Sequence, residues 1–342
     1  MDLKYIIKEI NYYRKLDGFS RAIKKGVLSQ SFLSCIVNKP VYNKVYSFFI
    51  KNRAKKDNPK LLQIENTSFC NARCLMCPHK IMKRKQNTMN LENFKKILDN
   101  VMKNYQIKRI TLNGFGEPFL DKGIFEKIEY INKRYYKLKI DIYTNASLLT
   151  KENSEKLLSK KVDRITFSLN GTKKNYKKIM GLDYEKTEKN VLYFLKKRKE
   201  VGNQILCNIS LMLLEENQED VSDFIKFWEP FSDSVRVYPP SDWAGGIKGR
   251  NIINKSRIKK KQWPCFALWN NITIDVDGNV IMCCRDYESK VKFGNLLKED
   301  AREIRNSKKF LDLQNKQLNF NFSTPVCSTC DNSSDSSFDW IC

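Results

Sequence analysis

Cys70-Asn71-Ala72-Arg73-Cys74-Leu75-Met76-Cys77 places three cysteines at spacings of four and three. Three thiolates can hold three irons of a cubic [4Fe–4S] cluster, because each iron normally takes one cysteine. The fourth iron is then open to a ligand from outside the chain. A structural zinc site is the alternative, but zinc more often takes paired Cys-x2-Cys with a second pair or histidines. The run just before, Leu61-Leu62-Gln63-Ile64-Glu65-Asn66, alternates and reads as a strand. The cysteines then lie on the loop at its C-terminal end.

A second set follows near the end of the chain: Cys265, Cys283, Cys284, Cys327, Cys330 and Cys342. Asn271–Val276 and Asn279–Cys284 alternate around Asp277-Gly278, a hairpin signal. Cys265 precedes that hairpin, Cys283 lies on its second strand, and Cys327-Ser328-Thr329-Cys330 supplies a close pair. Four thiolates also suit a zinc ribbon. His79 is the single histidine, so a histidine-rich metal site and a Ser-His-Asp triad are both excluded. It reads as a loop residue.

The elements that must position these groups come in a regular order. Candidate strands are Leu61–Asn66, Ile107–Asn113, Leu138–Thr144, Asp163–Leu169, Ile205–Leu213 and Ser234–Tyr238. Between them run helical stretches, Leu91–Lys103, Lys122–Arg134, Lys151–Ser159, Tyr184–Glu200 and Gln218–Trp228. Asn90 and Thr150 stand as caps before two of these, with glutamates in the first turn. Such alternation predicts an α/β fold, a parallel sheet with helices outside. Chemistry in these folds sits at the C-terminal strand ends. Ile6, Ile7, Ile10, Tyr13 and Leu16 predict an amphipathic helix ahead of the first strand, and a second covers Lys39 to Lys51.

With the strands in place, the cysteine loop resembles the signature of the radical S-adenosylmethionine (SAM) superfamily, Cys-x3-Cys-x2-Cys after a first strand. Asn113-Gly114-Phe115-Gly116-Glu117-Pro118 resembles that family's Gly-Gly-Glu-Pro segment, with Phe115-Gly116 in place of Gly-Gly. Thr144-Asn145-Ala146 and Ser168-Leu169-Asn170-Gly171 are similar to its later strand-end segments. The resemblance implies a partial (β/α)6 TIM-like barrel over 61–240. It implies that the SAM amino and carboxylate groups bind the open iron. Gly116, Glu117, Asn145, Ser168 and Asn170 are then the SAM-binding candidates. An ordinary Asx or Ser cap is the alternative for the last three.

The second cysteine set resembles the family's SPASM domain, especially its shorter "twitch" form, over 265–342. That implies an auxiliary [4Fe–4S] cluster on Cys265, Cys283, Cys327 and Cys330, with Cys284 and Cys342 left over. A fully ligated cluster implies electron relay, hence oxidation of a small polar or sugar-like alcohol. A peptide- or protein-modifying maturase and an RNA-modifying enzyme are the alternatives. A reductant such as flavodoxin or ferredoxin is implied as partner. Between the two parts, 241–264 reads as a linker or substrate loop, with Asp242, Trp243 and Arg250 as candidates for substrate contact or proton removal.

Composition agrees. The 342 residues are 41% hydrophobic and 12% aromatic, enough for a full core. Eleven cysteines are an odd number, which fits a paired disulfide framework badly. No apolar run is long enough to span a bilayer. The first residues are mixed and charged, so the expected location is cytoplasmic. The net charge of +25 admits a nucleic-acid partner. Lysines such as Lys196, Lys197 and Lys199 are instead spread over nearly every helix, which reads as solvated helix faces. Cys35 reads as an ordinary thiol.

Overall fold

The structure is a computed structural model that describes residues 57–239, 241–247 and 264–330, with 48 and 52. Apart from Phe48, the helices expected ahead of residue 57 lie outside the described residues, as do Cys35, Arg250 and Cys342.

Six parallel strands form in the expected order. They are β1 (Leu61–Ile64), β2 (Arg109–Thr111), β3 (Lys139–Thr144), β4 (Arg164–Ser168), β5 (Leu206–Met212) and β6 (Ser234–Tyr238). Between them run α1 (Leu91–Asn104), α2 (Ile124–Arg134), α3 (Lys151–Leu158), α4 (Tyr176–Met180), α5 (Tyr184–Glu200) and α6 (Val221–Trp228). The expected caps form: Asn90 accepts from the Asn93 N–H at 2.8 Å and Thr150 from the Asn153 N–H at 3.2 Å. The helix expected from Gln218 begins as a 3-10 turn, Gln218–Asp220, and becomes α-helical at Val221. On exposed helix faces, lysines pair with glutamates one turn away, as in Lys96–Glu92 and Lys156–Glu152.

The C-terminal part adds α7 (Ala267–Asn270), β7 (Asn271–Ile274), β8 (Asn279–Ile281), β9 (Lys292–Asn295), α8 (Ala301–Asn306) and α9 (Lys308–Leu318). The predicted hairpin is β7–β8, but it does not stand apart. The sheet order is β6-β5-β4-β3-β2-β1-β7-β8-β9. β7 pairs parallel with β1, and β8 and β9 continue antiparallel. The second cysteine set thus grows from the free edge of the strand that carries the first.

Strand register divides the sheet into two faces. Leu62, Ile110, Ile140, Ile142, Ile165, Phe167, Cys207 and Ile209 point to the helices and join one buried core. The other face is polar. Gln63, Thr111 and Asp141 stand side by side, as do Tyr143, Thr166, Asn208 and Ser234. Asp141 is buried on that face and pairs with both Arg109 and Arg164. A parallel sheet covered by helices on both faces would carry apolar side chains on both. Here only the helix-facing side does, which is the pattern of a partial (β/α)6 barrel with a polar interior.

Candidate cluster and cofactor site

The three-cysteine loop is held by backbone and amide contacts from strand ends far away in sequence. Arg73 N–H donates to Met180 O at 2.9 Å and Leu75 N–H to Ile179 O at 2.8 Å, so α4 supports the loop. Asn71 donates to Ser147 Oγ at 2.8 Å and accepts from Asn145 Nδ2 at 3.1 Å. His79 Nε2 lies 2.9 Å from Ser68 O, so the single histidine braces the loop. Desolvation pushes the Cys70 thiol up to about 12. It raises Cys74 and Cys77 as well, with Cys77 and Cys70 raising Cys74 further. Three thiols so close together and so dry ionise only beside strong positive charge. Irons supply that charge, so the donor set fits a cluster.

Among the described residues, no three His, Cys, Asp or Glu side chains are set to grip one metal ion. A cubic cluster binds each thiolate at its own corner, so it does not need them to converge on a point.

Gly116 and Glu117 pack against this loop. Glu117 N–H donates to Phe69 O at 2.8 Å. A Cβ on Gly116 would fall 2.1 Å from Thr67 O and 2.7 Å from Phe69 O, so only glycine permits the approach. The Glu117 carboxylate accepts from Thr144 Oγ1 at 2.6 Å and from the Asn145 N–H at 2.8 Å. It is 2% exposed, and desolvation raises it from 4.5 to about 7 despite these donors.

That shift has a pH consequence. Between pH 4.5 and 7 the folded chain keeps a proton that the unfolded chain releases, so raising the pH through this window lowers stability. The loss is at most about 3 kcal/mol, from about 1.4 kcal/mol per unit. Glu117→Gln carries no charge and should flatten this slope. We expect the fall in Tm between pH 5 and 7, read without SAM, to shrink by several degrees. An unchanged slope would remove burial of Glu117 as its cause.

The other candidates are placed as follows. Asn145 sits at the end of β3 between Glu117 and Asn71. Ser168 ends β4, with its Oγ 3.5 Å from Ser210 Oγ. Asn170 has a left-handed φ of 49°, and its Oδ1 accepts from Met212 N–H at 2.8 Å. Its Nδ2 lies 3.3 Å from Met180 Sδ, which is itself 3.4 Å from Cys74 Sγ. Asn170 therefore reaches the cysteine loop through Met180. Asp242 lies on a turn beside Trp243, whose indole N–H donates to Met76 O at 2.7 Å.

The second set assembles beside β8. The Cys283 thiol is raised well above the usual range by desolvation, then by Cys284, Cys265 and Cys327. Its sulfur also receives the Arg285 N–H at 3.4 Å. Cys284, though exposed as a residue, has its thiol raised by desolvation, with Cys265 adding to it. It lines a small cavity of about 10 Å³ with Glu65, Arg84 and Phe115. Cys327 is buried and Cys330 half-buried on the closing turn.

Sequence reasoning missed Glu65. Its carboxylate accepts from Arg84 Nη2 at 2.6 Å, Phe115 N–H at 3.0 Å and Val276 N–H at 3.1 Å. One side chain thus ties the ends of β1, β2 and β7. The alternation placed it on β1, but nothing local marks its partners.

Comparison with known proteins gives two matches to protein families. The radical SAM superfamily matches residues 64–227 and the SPASM iron–sulfur cluster-binding domain residues 265–331. The chain is 30% identical over 175 residues to the tungsten-containing aldehyde ferredoxin oxidoreductase cofactor-modifying protein of Pyrococcus furiosus. That match covers 49% of this chain but only 48% of the relative, about half its length. It is 22% identical over 280 residues to the SAM-dependent 2-deoxy-scyllo-inosamine dehydrogenase of Niallia circulans, covering 80% of this chain and 92% of that one.

In fold it is similar to BtrN in complex with AdoMet and 2-DOIA, with a TM-score of 0.55 at 18% identity, covering 80% and 93% of the two chains. It is also similar to Streptococcus suis SuiB bound to precursor peptide SuiA, with a TM-score of 0.63 at 17% identity, covering 98% and 88%. Among the described residues no helix is long and apolar enough to cross a membrane. The chain carries a radical SAM superfamily domain over residues 64–227 and a SPASM iron–sulfur cluster-binding domain over residues 265–331, each around one of the two cysteine sets.

Proposed function

We propose that this chain is a radical SAM oxidoreductase that removes a hydrogen atom, a proton and an electron from a small polar or sugar-like alcohol, leaving a ketone. When bound, SAM and a reduced cluster on Cys70, Cys74 and Cys77 supply a 5′-deoxyadenosyl radical, and a second cluster accepts one electron. Gly116 and Glu117 present backbone to SAM beside the first loop, while Asn145 and Ser168 hold its polar groups at the ends of β3 and β4. Cys265, Cys283, Cys327 and Cys330 hold the second cluster.

The observation that carries the substrate class is the polar inner face. Thr111, Tyr143, Thr166, Ser168, Asn208 and Ser210 offer neutral hydroxyl and amide groups along one face of the sheet. With the charges of Asp141, Arg109 and Arg164 on the same face paired to one another, such groups match a polyhydroxylated ring better than an apolar ligand. The Niallia relative, a dehydrogenase by name, points the same way.

The test uses amino-cyclitols and sugars carrying deuterium at one carbinol carbon, with reconstituted enzyme and a chemical reductant. Deuterium in 5′-deoxyadenosine, with one ketone formed per SAM, is the expected result. Transfer from deuterated peptides alone would replace this reading with a peptide-modifying one.

A further inference from the structure

The turn 242–246 lies outside both cysteine sets yet touches both. Trp243 and Ala244 have left-handed φ values of 54° and 56°, a conformation that side chains other than glycine adopt at a cost. Such strain persists only where surrounding contacts fix it. On one side, the Trp243 indole N–H donates to Met76 O at 2.7 Å, between Cys74 and Cys77. The same ring meets Phe115 edge-on at 5.5 Å, within the segment that packs on the cysteine loop.

On the other side, Ala244 O accepts from Thr329 Oγ1 at 2.5 Å, between Cys327 and Cys330. The Arg285 guanidinium lies over the indole at 5.6 Å, and the backbone N–H of Arg285 is the one directed at Cys283 Sγ. Gly246 is pressed against Tyr287, where a Cβ would come within 2.6 Å of the ring. Tyr287 in turn meets Phe115 at 6.2 Å.

We propose that Trp243 is a positioning residue shared by the two cysteine sets, fixing the three-cysteine loop against the C-terminal cysteine turn. A ring that merely filled space would not need its N–H set on Met76 O, and the next residue's carbonyl takes the second anchor. Here one anchor falls inside each cysteine pair, and the two anchors belong to adjacent residues. The Met76 carbonyl belongs to the peptide whose N–H is that of Cys77. That N–H donates to Cys74 O at 3.3 Å. A donor on the Met76 carbonyl therefore strengthens the turn that carries both Cys74 and Cys77. The groups that orient a cluster's ligands tune its potential. Fixing two loops by one rigid aromatic also holds their separation, which reacting or electron-exchanging groups need within fractions of an ångström. The inference holds for any substrate, because it concerns only the two lobes.

The test is made on the full chain with both clusters reconstituted. Trp243→Phe keeps the ring and removes the N–H. Thr329→Val keeps the shape and removes the far anchor. The readouts are the SAM dissociation constant, the midpoint potential of the three-cysteine cluster and its electron paramagnetic resonance spectrum with SAM. Trp243→Phe is expected to weaken SAM binding about fivefold, the factor of one ordinary hydrogen bond, and to shift the potential and spectrum. Thr329→Val is expected to move the same readouts in the same direction by a smaller factor, although it lies at the other lobe. The double variant should then fall short of the product of the two single effects, the mark of groups acting through one element. Wild-type readouts in Trp243→Phe would overturn the proposal. So would Thr329→Val with an unaltered first cluster, or strict additivity of the pair.

Discussion

Replacing Cys70, Cys74 and Cys77 together by alanine is expected to abolish 5′-deoxyadenosine formation, by about 10³-fold or more, since the bound cofactors carry the chemistry. The reason lies in the pocket. Its thiols are raised by desolvation, Cys70 and Cys74 also by neighbouring cysteines, and the Lys80 charge beside Cys74 and Cys77 does not offset this. Without them there is no donor set for irons and no open iron for SAM. Beside the weak Cys74 Sγ–Met180 Sδ contact, the loop's long-range hydrogen bonds run through Asn71, Arg73 and Leu75. The variant should therefore fold, and its iron content should fall from about eight per chain to about four. Anaerobic reconstitution with iron and sulfide counting, followed by a SAM-cleavage assay, reads both quantities. Retained cleavage in the triple variant would move the SAM site away from this loop altogether.

The parts of this site that sequence could show are those that repeat or that carry unusual residue types. Period-two runs gave the six parallel strands, with β6 matched residue for residue at Ser234–Tyr238. Caps such as Asn90 and Thr150 fixed helix starts because their bonds span three residues. Cysteine spacing gave the loop. Glycine at 116 was legible as a close approach, and the clash of a Cβ with Thr67 O explains it.

What was illegible is long-range. β9 is four residues long, one of them a glycine, so its pattern was too short to read. The parallel pairing of β7 with β1 joins residues some 210 apart, and no local signal encodes it. The Glu65–Arg84 pair and the Trp243 contact to Met76 are likewise settled only when distant strand ends meet. Trp243 does stand out in the sequence as a loop aromatic, a candidate for substrate contact or proton removal in a linker or substrate loop. Its indole N–H is taken up by the cysteine loop, a role that composition could not suggest.

The second large effect separates the two neighbours Cys283 and Cys284. Both thiols are raised, but by different company. Cys283 feels Cys265, Cys284 and Cys327, and it receives a backbone N–H, as a thiolate ligand would. Cys284 feels Cys265 among the cysteines, and it opens on the cavity lined by Glu65, Arg84 and Phe115. Cys283→Ala should therefore lose about four irons, whereas Cys284→Ala should keep all of them.

The functional outcomes should part in the same way. If the proposed oxidation holds, losing the second cluster removes the acceptor for the remaining electron, so oxidised product should fall by about 10²-fold or more. Cleavage of SAM depends on the other lobe and should continue, now uncoupled from product. Product formation tracked against 5′-deoxyadenosine, in both single variants, reads this split directly. Iron loss in Cys284→Ala instead would make Cys284 the ligand and turn the hairpin end by one residue. Product formed at the wild-type ratio by a Cys283→Ala protein lacking those irons would mean that no electron leaves through this lobe. The alcohol oxidation would then give way to a redox-neutral rearrangement on the same polar face.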